Sequence, residues 1–157
     1  SSTTTETDRT AVKNLAEITG IIDIESLTLE IFKEKSNVSS LTDEQAVLND
    51  FKIFDFGKKV LIGQLETVEQ GLLLSTRKQG LLSALQLIKE REAVDFIILA
   101  VTNILKVNTK LLVGGAGEID LIQKAFGGTV QENLLDIGAK MSRKKDIAPA
   151  IEKALTQ

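Results

Sequence analysis

The chain has 157 residues, of which 43% are hydrophobic and 26% charged, with six Phe and no Tyr, Trp, Cys or His. That composition suits one globular domain with an aliphatic core, and a chain of this size buries about 68–70% of its unfolded surface. It excludes a disulfide framework, a cysteine nucleophile, a thiolate or imidazole metal site and a histidine general base, while a net charge of −3 and few aromatics argue against a nucleic-acid surface.

Residues 1–5 form a polar tail, expected to be disordered. Residues 6–50 read as a helical connecting segment. Thr7 and Asp8 offer caps for a helix through about Ile18, which Gly20 ends. A second helix starts at Asp23 or Ser26, with Leu27, Leu29, Ile31 and Phe32 apolar. Asn37 to Ser40 reads as a loop, and Thr42 as the cap of a short helix reaching Asn49.

The character changes at Phe51. Phe51 to Phe56 and Val60 to Leu65 predict an antiparallel hairpin turning at Gly57. From about Glu69 to Arg91 the period is helical, and Leu74, Leu81, Leu85 and Ile88 make one stripe, joined by Leu82 and Ala84. Gly80 inside that helix costs roughly 1 kcal/mol against Ala, so close packing against the sheet is expected there. Val94 to Val101 is almost unbroken in its apolarity and predicts a central strand covered on both faces. Thr109 to Val113 is a further strand. Gly114 to Gly117 then leads into a helix over 118–126. This glycine loop lacks the complete spacing of a phosphate-binding loop and reads as a plain strand-to-helix turn. Gly127-Gly128 is another turn, and Leu134 to Ile137 a last short strand. The predicted fold is α/β, with α+β as the alternative: a mixed sheet of about five strands flanked by helices.

Charge is unevenly spread. Residues 1–50 carry ten acids against four bases (−6), and residues 51–157 carry twelve acids against fifteen bases (+3). Ser142-Arg143-Lys144-Lys145 stands just before a final helix, which Pro149 in its first turn and Asp146 as a cap place near residues 146–149. A helix start attracts anions, and an Arg fork with two Lys charges beside it would make a phosphate clamp. A solvated basic cluster is the other reading. No carboxylate run has calcium-loop spacing. No apolar run reaches the roughly 18 residues of a membrane span, and no signal peptide opens the chain. A cytoplasmic home follows as an expectation.

The stretch Met141 to Leu155, with Ser-Arg-Lys-Lys, an apolar pair, proline and a helix, resembles the end of a manganese-dependent inorganic pyrophosphatase of the DHH phosphoesterase superfamily. That end belongs to a carboxy-terminal, DHH-associated domain of the second type. Asp50 to Gly57 resembles the first strand of that domain, and Val60 to Thr67 the next, with its Gly63-Gln64 pair. Val101 to Leu105 resembles a Thr-Asp-Ile-Leu strand end, with Asn103 in place of Asp. Thr7 to Ser36 resembles the connecting region of some members. Asp146 stands where Gln is usual.

The resemblance implies that residues 51–157 are a substrate-binding domain clamping pyrophosphate. Lys52, Arg143 and Lys144 would contact the phosphates, with Ser142, Lys145 and Gln64 as further candidates. Without the resemblance, Lys52 would read as an edge lysine that discourages aggregation. Catalytic residues and metal ligands are expected in neither part of this chain. Manganese, or magnesium or cobalt, would sit in an amino-terminal DHH domain that the sequence lacks, and that domain is an implied partner. The chain, which opens with Ser-Ser rather than Met, reads as a domain cut from a longer protein and inactive alone. Longer polyphosphate, as in exopolyphosphatase-like relatives, is an alternative substrate. A non-catalytic phosphate-binding or interaction module is an alternative of another class. A homodimer of the parent, with no nucleic-acid or membrane partner, completes the expectations.

Overall fold

The computed structural model describes residues 38–157, which fall in one compact unit. The tail, the first two predicted helices and most of the connecting segment lie outside the described residues. Residues 38–40 are helical, not loop as expected. Helix α1 (Asp43–Leu48) follows, and Thr42 caps it as read: Thr42 Oγ1 accepts from Gln45 N while Gln45 Oε1 accepts from Thr42 N. This reciprocal box satisfies two donors that a helix start leaves open. Placed by composition with the connecting segment, α1 nonetheless buries Ala46 and Val47 completely in the core.

Five strands make one mixed sheet in the order β1-β2-β3-β4-β5. Strand β1 (Phe51–Asp55) pairs antiparallel with β2 (Lys59–Thr67). Gly57, at φ +89°, makes the turn between them, a conformation that glycine adopts without a Cβ clash. Helix α2 (Gln70–Glu92) returns the chain so that β3 (Phe96–Asn103) runs parallel to β2, from Val60 opposite Phe96 to Thr67 opposite Asn103. Strands β4 (Asn108–Leu112) and β5 (Leu134–Gly138) add antiparallel neighbours, with helix α3 (Ala116–Phe126) between them. A single π-helical turn, Arg143–Ile147, leads into helix α4 (Ala148–Thr156). The architecture is therefore the α/β mixed sheet that the apolar patterning predicted, with β3 in the middle.

Alternation along the strands divides the core in two. Leu61, Leu65, Leu99 and Val101 face α1 and α2, where Leu81, Leu85 and Ile88 meet them. Val60, Ile62, Ile98 and Ala100 face α3 and α4, where Ile122, Ile147 and Ile151 meet them. Each such aliphatic side chain contributes about 1.5–3 kcal/mol when fully buried. Gly63 faces α1, and a Cβ there would meet the Val47 carbonyl oxygen at 2.5 Å. The backbone of α1 thus lies directly on β2.

Gly80 corrects one expectation. Its missing Cβ makes room for the Asp43 carboxylate of α1, not for the sheet. Arg77 explains why that carboxylate is there. Its Nε and Nη2 donate to Asp43 Oδ1 at 3.1 and 2.8 Å, and the same fork donates to Val38 O at 3.1 Å and Leu41 O at 2.8 Å. One half-buried guanidinium thereby pins residues 38–43 to α2. Arg77→Ala should lower unfolding stability by about 1.5–3 kcal/mol, the range for hydrogen bonds to a charged group. Gly80→Ala should not show the roughly 1 kcal/mol gain that helix propensity alone predicts, because it displaces Asp43. Urea denaturation midpoints of the two variants check both statements.

Candidate functional site

The candidate site lies on the α3/α4 face of the sheet, at its β1 edge. Lys52 pairs with Ile62 across β1 and β2, and directly opposed residues share a face. Ile62 belongs to the core under α4, so Lys52 rises from that face. Its ammonium lies 5.3 Å from the Phe54 ring centroid, and Phe54 stacks on Phe56 at 5.5 Å. A cation over an aromatic face is held in place without losing its charge to a carboxylate. Among the described residues Lys52 has no ion-pair partner.

Arg143 reaches the same place from the other end of the domain. Its Nη1 donates to Asp50 O at 2.9 Å and to Ile62 O at 3.4 Å, and its Nη2 to Asp50 Oδ1 at 3.0 Å. Since Ile62 is the register partner of Lys52, the Arg143 guanidinium, 91 positions away in sequence, reaches the backbone of the residue opposite Lys52. Lys144 and Lys145 are exposed in the same turn as Arg143 and, among the described residues, form no ion pair. Lys52 and Arg143 are thus linked through Ile62, with the two further lysines following Arg143.

The turn that carries these residues is built by Ser142. Ser142 Oγ accepts from Lys145 N at 3.0 Å, and its carbonyl accepts from Asp146 N at 2.8 Å and Ile147 N at 3.1 Å. Asp146 returns the contact, its Oδ2 accepting from Ser142 N at 3.0 Å. Helical winding therefore begins at Arg143, earlier than the expected start at 146–149. The cap is Ser142, and Asp146 is a residue within the winding. The α-helical part does begin at Ala148, with Pro149 in its first turn. Proline has no N–H and its ring crowds the carbonyl four residues back. Widening the preceding turn to i→i+5 spacing, in which Ala148 N donates to Arg143 O, accommodates it.

Gln64 has a different place from the one its candidacy suggested. It is 9% exposed, and its Nε2 donates to Met141 O at 2.6 Å and Thr102 Oγ1 at 3.3 Å. Thr102 Oγ1 in turn lies 2.9 Å from Thr109 Oγ1. This polar chain crosses β2, β3 and β4 and moors the segment that leads into Ser142. Asn103, at the position where the resemblance has Asp, accepts from Leu105 N at 3.1 Å and Lys106 N at 3.0 Å. It closes the β3–β4 turn.

Two residues escaped the sequence reading. Asp50 gave no signal beyond its place at the start of the stretch that resembles the family's first strand. Glu118, 1% exposed, carried one: it stands three residues after the Gly115 cap, at capping-box spacing. Its Oε2 accepts from Ile97 N at 3.0 Å and pairs with Lys89 Nζ at 2.8 Å. Strand β4 pairs with β3 only from Leu99 onward, so Glu118 supplies the acceptor that Ile97 lacks. Its Oε1 lies where a Cβ of Gly115 would be.

Among the described residues, no group of three or more His, Cys, Asp or Glu could hold a metal ion, and no helix is long and apolar enough to cross a membrane. Comparison with known proteins shows which family the chain resembles. The family model for the DHHA2 domain matches residues 29–154. A manganese-dependent inorganic pyrophosphatase of Methanocaldococcus jannaschii is 39% identical over 155 residues, covering 98% of this chain and 50% of that protein. Another, from Methanothrix thermoacetophila, is 35% identical over 156 residues with the same coverage. A crystal structure of a family II inorganic pyrophosphatase from Methanococcus jannaschii superposes with a TM-score of 0.73 at 38% identity, covering 98% of this chain and 50% of that one. The chain spans about half the length of the curated relatives it matches.

Ser142→Ala should cost about 1 kcal/mol by removing the cap, whereas exposed Lys144→Ala should stay within about 0.5 kcal/mol of the parent. Thermal melts of the two variants measure the difference.

Proposed function

The chain belongs to the DHHA2 domain family, and on that premise we propose that it is the carboxy-terminal, substrate-binding part of a manganese-dependent inorganic pyrophosphatase. The observation that carries the proposal is that Arg143 reaches the backbone of Ile62, the residue opposite Lys52, with Lys144 and Lys145 exposed in the same turn. Pyrophosphate is a compact polyanion. Binding it takes charge neutralisation and directed N–H donors, and an Arg fork between point charges offers both.

The donor set does not fit a catalytic manganese site: the chain has no His, and its described carboxylates do not cluster. The metal and the activation of water are assigned to an amino-terminal DHH domain of the parent protein. This chain binds and orients the phosphates. Open water screens its charges when it acts alone. Closure against the other domain would exclude water and strengthen each contact.

The 157-residue chain should bind pyrophosphate weakly, and more weakly as salt rises. Arg143→Ala should reduce that affinity about tenfold, and Arg143→Lys should not fully restore it, because an ammonium has no bidentate edge. Asp146→Gln keeps an acceptor for Ser142 N while removing a negative charge, so affinity should stay equal or rise. Titration calorimetry at two ionic strengths reads all three. Unchanged affinity in Arg143→Ala would overturn the clamp. Purified chain given Mn²⁺ and pyrophosphate should release no orthophosphate; turnover above a contaminant control would overturn the assignment of catalysis elsewhere.

A further inference from the structure

A guanidinium has two edges that can each take a pair of oxygens: the end formed by Nη1 and Nη2, and the side formed by Nε and Nη2. In Arg143 the end edge is occupied by one residue. Asp50 takes Nη1 with its backbone carbonyl at 2.9 Å and Nη2 with its carboxylate at 3.0 Å. The Asp50 carbonyl is itself fixed, because it also accepts from Gln64 N at 2.8 Å. The remaining Nη1 hydrogen points to Ile62 O at 3.4 Å. That leaves Nε–H and the second Nη2 hydrogen, which lie together along the side edge. Among the described residues Nε has no acceptor, yet Glu118 Oε1 is the one sealed, unpartnered side-chain polar atom there. The Arg143 side edge therefore opens to solvent. Asp50 itself is 59% exposed and Arg143 19%.

We propose that Asp50 is a positioning residue, which holds Arg143 by its end edge so that the side edge, Nε and Nη2, receives two oxygens of a phosphate. The proposal rests on the phosphate-binding role of Arg143 given above. It adds that the carboxylate beside the cation supports binding. The contrary reading, that Asp50 competes with the ligand for the fork, predicts the opposite sign. A simple charge argument cannot distinguish them, because any neutral residue at 50 also removes a repulsion.

The test compares two variants of equal charge. Asp50→Asn and Asp50→Ala both remove the negative charge, but only Asn keeps an oxygen for Nη2. Pyrophosphate binding by the full 157-residue chain is measured by calorimetry, and the Arg143 Nε–H signal by ¹H–¹⁵N NMR. The expected result is that Asp50→Ala binds about fivefold more weakly than Asp50→Asn, the size of one hydrogen bond's net contribution. Pyrophosphate should shift the Nε–H signal in the unmutated chain and in Asp50→Asn, and shift it less in Asp50→Ala. Equal affinities in the two variants, or tighter binding by Ala than by Asn, would overturn the proposal, as would an Nε–H signal that pyrophosphate leaves in place. Arg143→Ala, run alongside, separates the two levels. If it leaves binding intact, the clamp itself fails. If it weakens binding while the two Asp50 variants agree, only the positioning role fails.

Discussion

Eight consecutive parallel pairs between β2 and β3 are the constraint on which the rest of this domain depends. Parallel neighbours need a crossover, and α2 supplies it. Val60 to Leu65 are then buried without a break, so each of these residues of β2 is committed to one side or the other. Even-numbered positions look toward α3 and α4, and odd-numbered ones toward α1 and α2. A slip of one residue would turn the whole strand over. The register that buries Ile62 is therefore also the register that puts Gln64 under Met141 and keeps the Ile62 carbonyl within reach of Arg143. Packing energy and site geometry are not separable here.

The candidate site has, among the described residues, no group of three or more His, Cys, Asp or Glu that could hold a metal ion. Its cations are fixed by unlike means: an aromatic ring under Lys52, backbone carbonyls and a carboxylate around Arg143. Each leaves charge available, whereas a closed salt bridge to a buried carboxylate would consume it, as Lys89 is consumed by Glu118. Asp146 could have been expected to oppose an anion. Its oxygen is instead turned into the backbone at Ser142, where it supports the turn that carries the basic residues.

Much of this was legible in the sequence, and the reasons are local. The almost unbroken apolar run from Val94 to Val101 read as a central strand, and the Leu74-Leu81-Leu85-Ile88 stripe as one face of a helix. Thr42 announced a cap. What stayed hidden was non-local or depended on side-chain reach. No spacing rule could show that Gly80 makes room for Asp43, thirty-seven positions away, or that Asp50 meets Arg143. The last α-helix does begin at Ala148, within the range that Pro149 indicated, but the winding ahead of it, capped by Ser142 and not by Asp146, stayed hidden because both residues suit a helix start. The geometry that decides among them, a widened turn, has no sequence signature of its own beyond the proline. Lys52 and Arg143 were singled out through resemblance to a family and not through composition or period, since an isolated edge lysine and a basic run are common on any surface.

The widened turn at 143–147 has a consequence for how the domain could vary over evolution. A π turn carries one residue more than the α turn it replaces, and each residue of an α-helix advances about 100° around the axis. The phase of Arg143 about the axis is thus offset from the buried stripe of α4 by that one extra residue. A single deletion between Ser142 and Ile147 would let the winding relax to a regular helix without unfolding it, and α4 would remain seated through Ile151 and Ala154. The guanidinium would then swing by about a quarter of a revolution, away from Asp50. Insertions and deletions in this family should therefore be far less tolerated within these five residues than in the glycine turns elsewhere, although the helix itself could survive either.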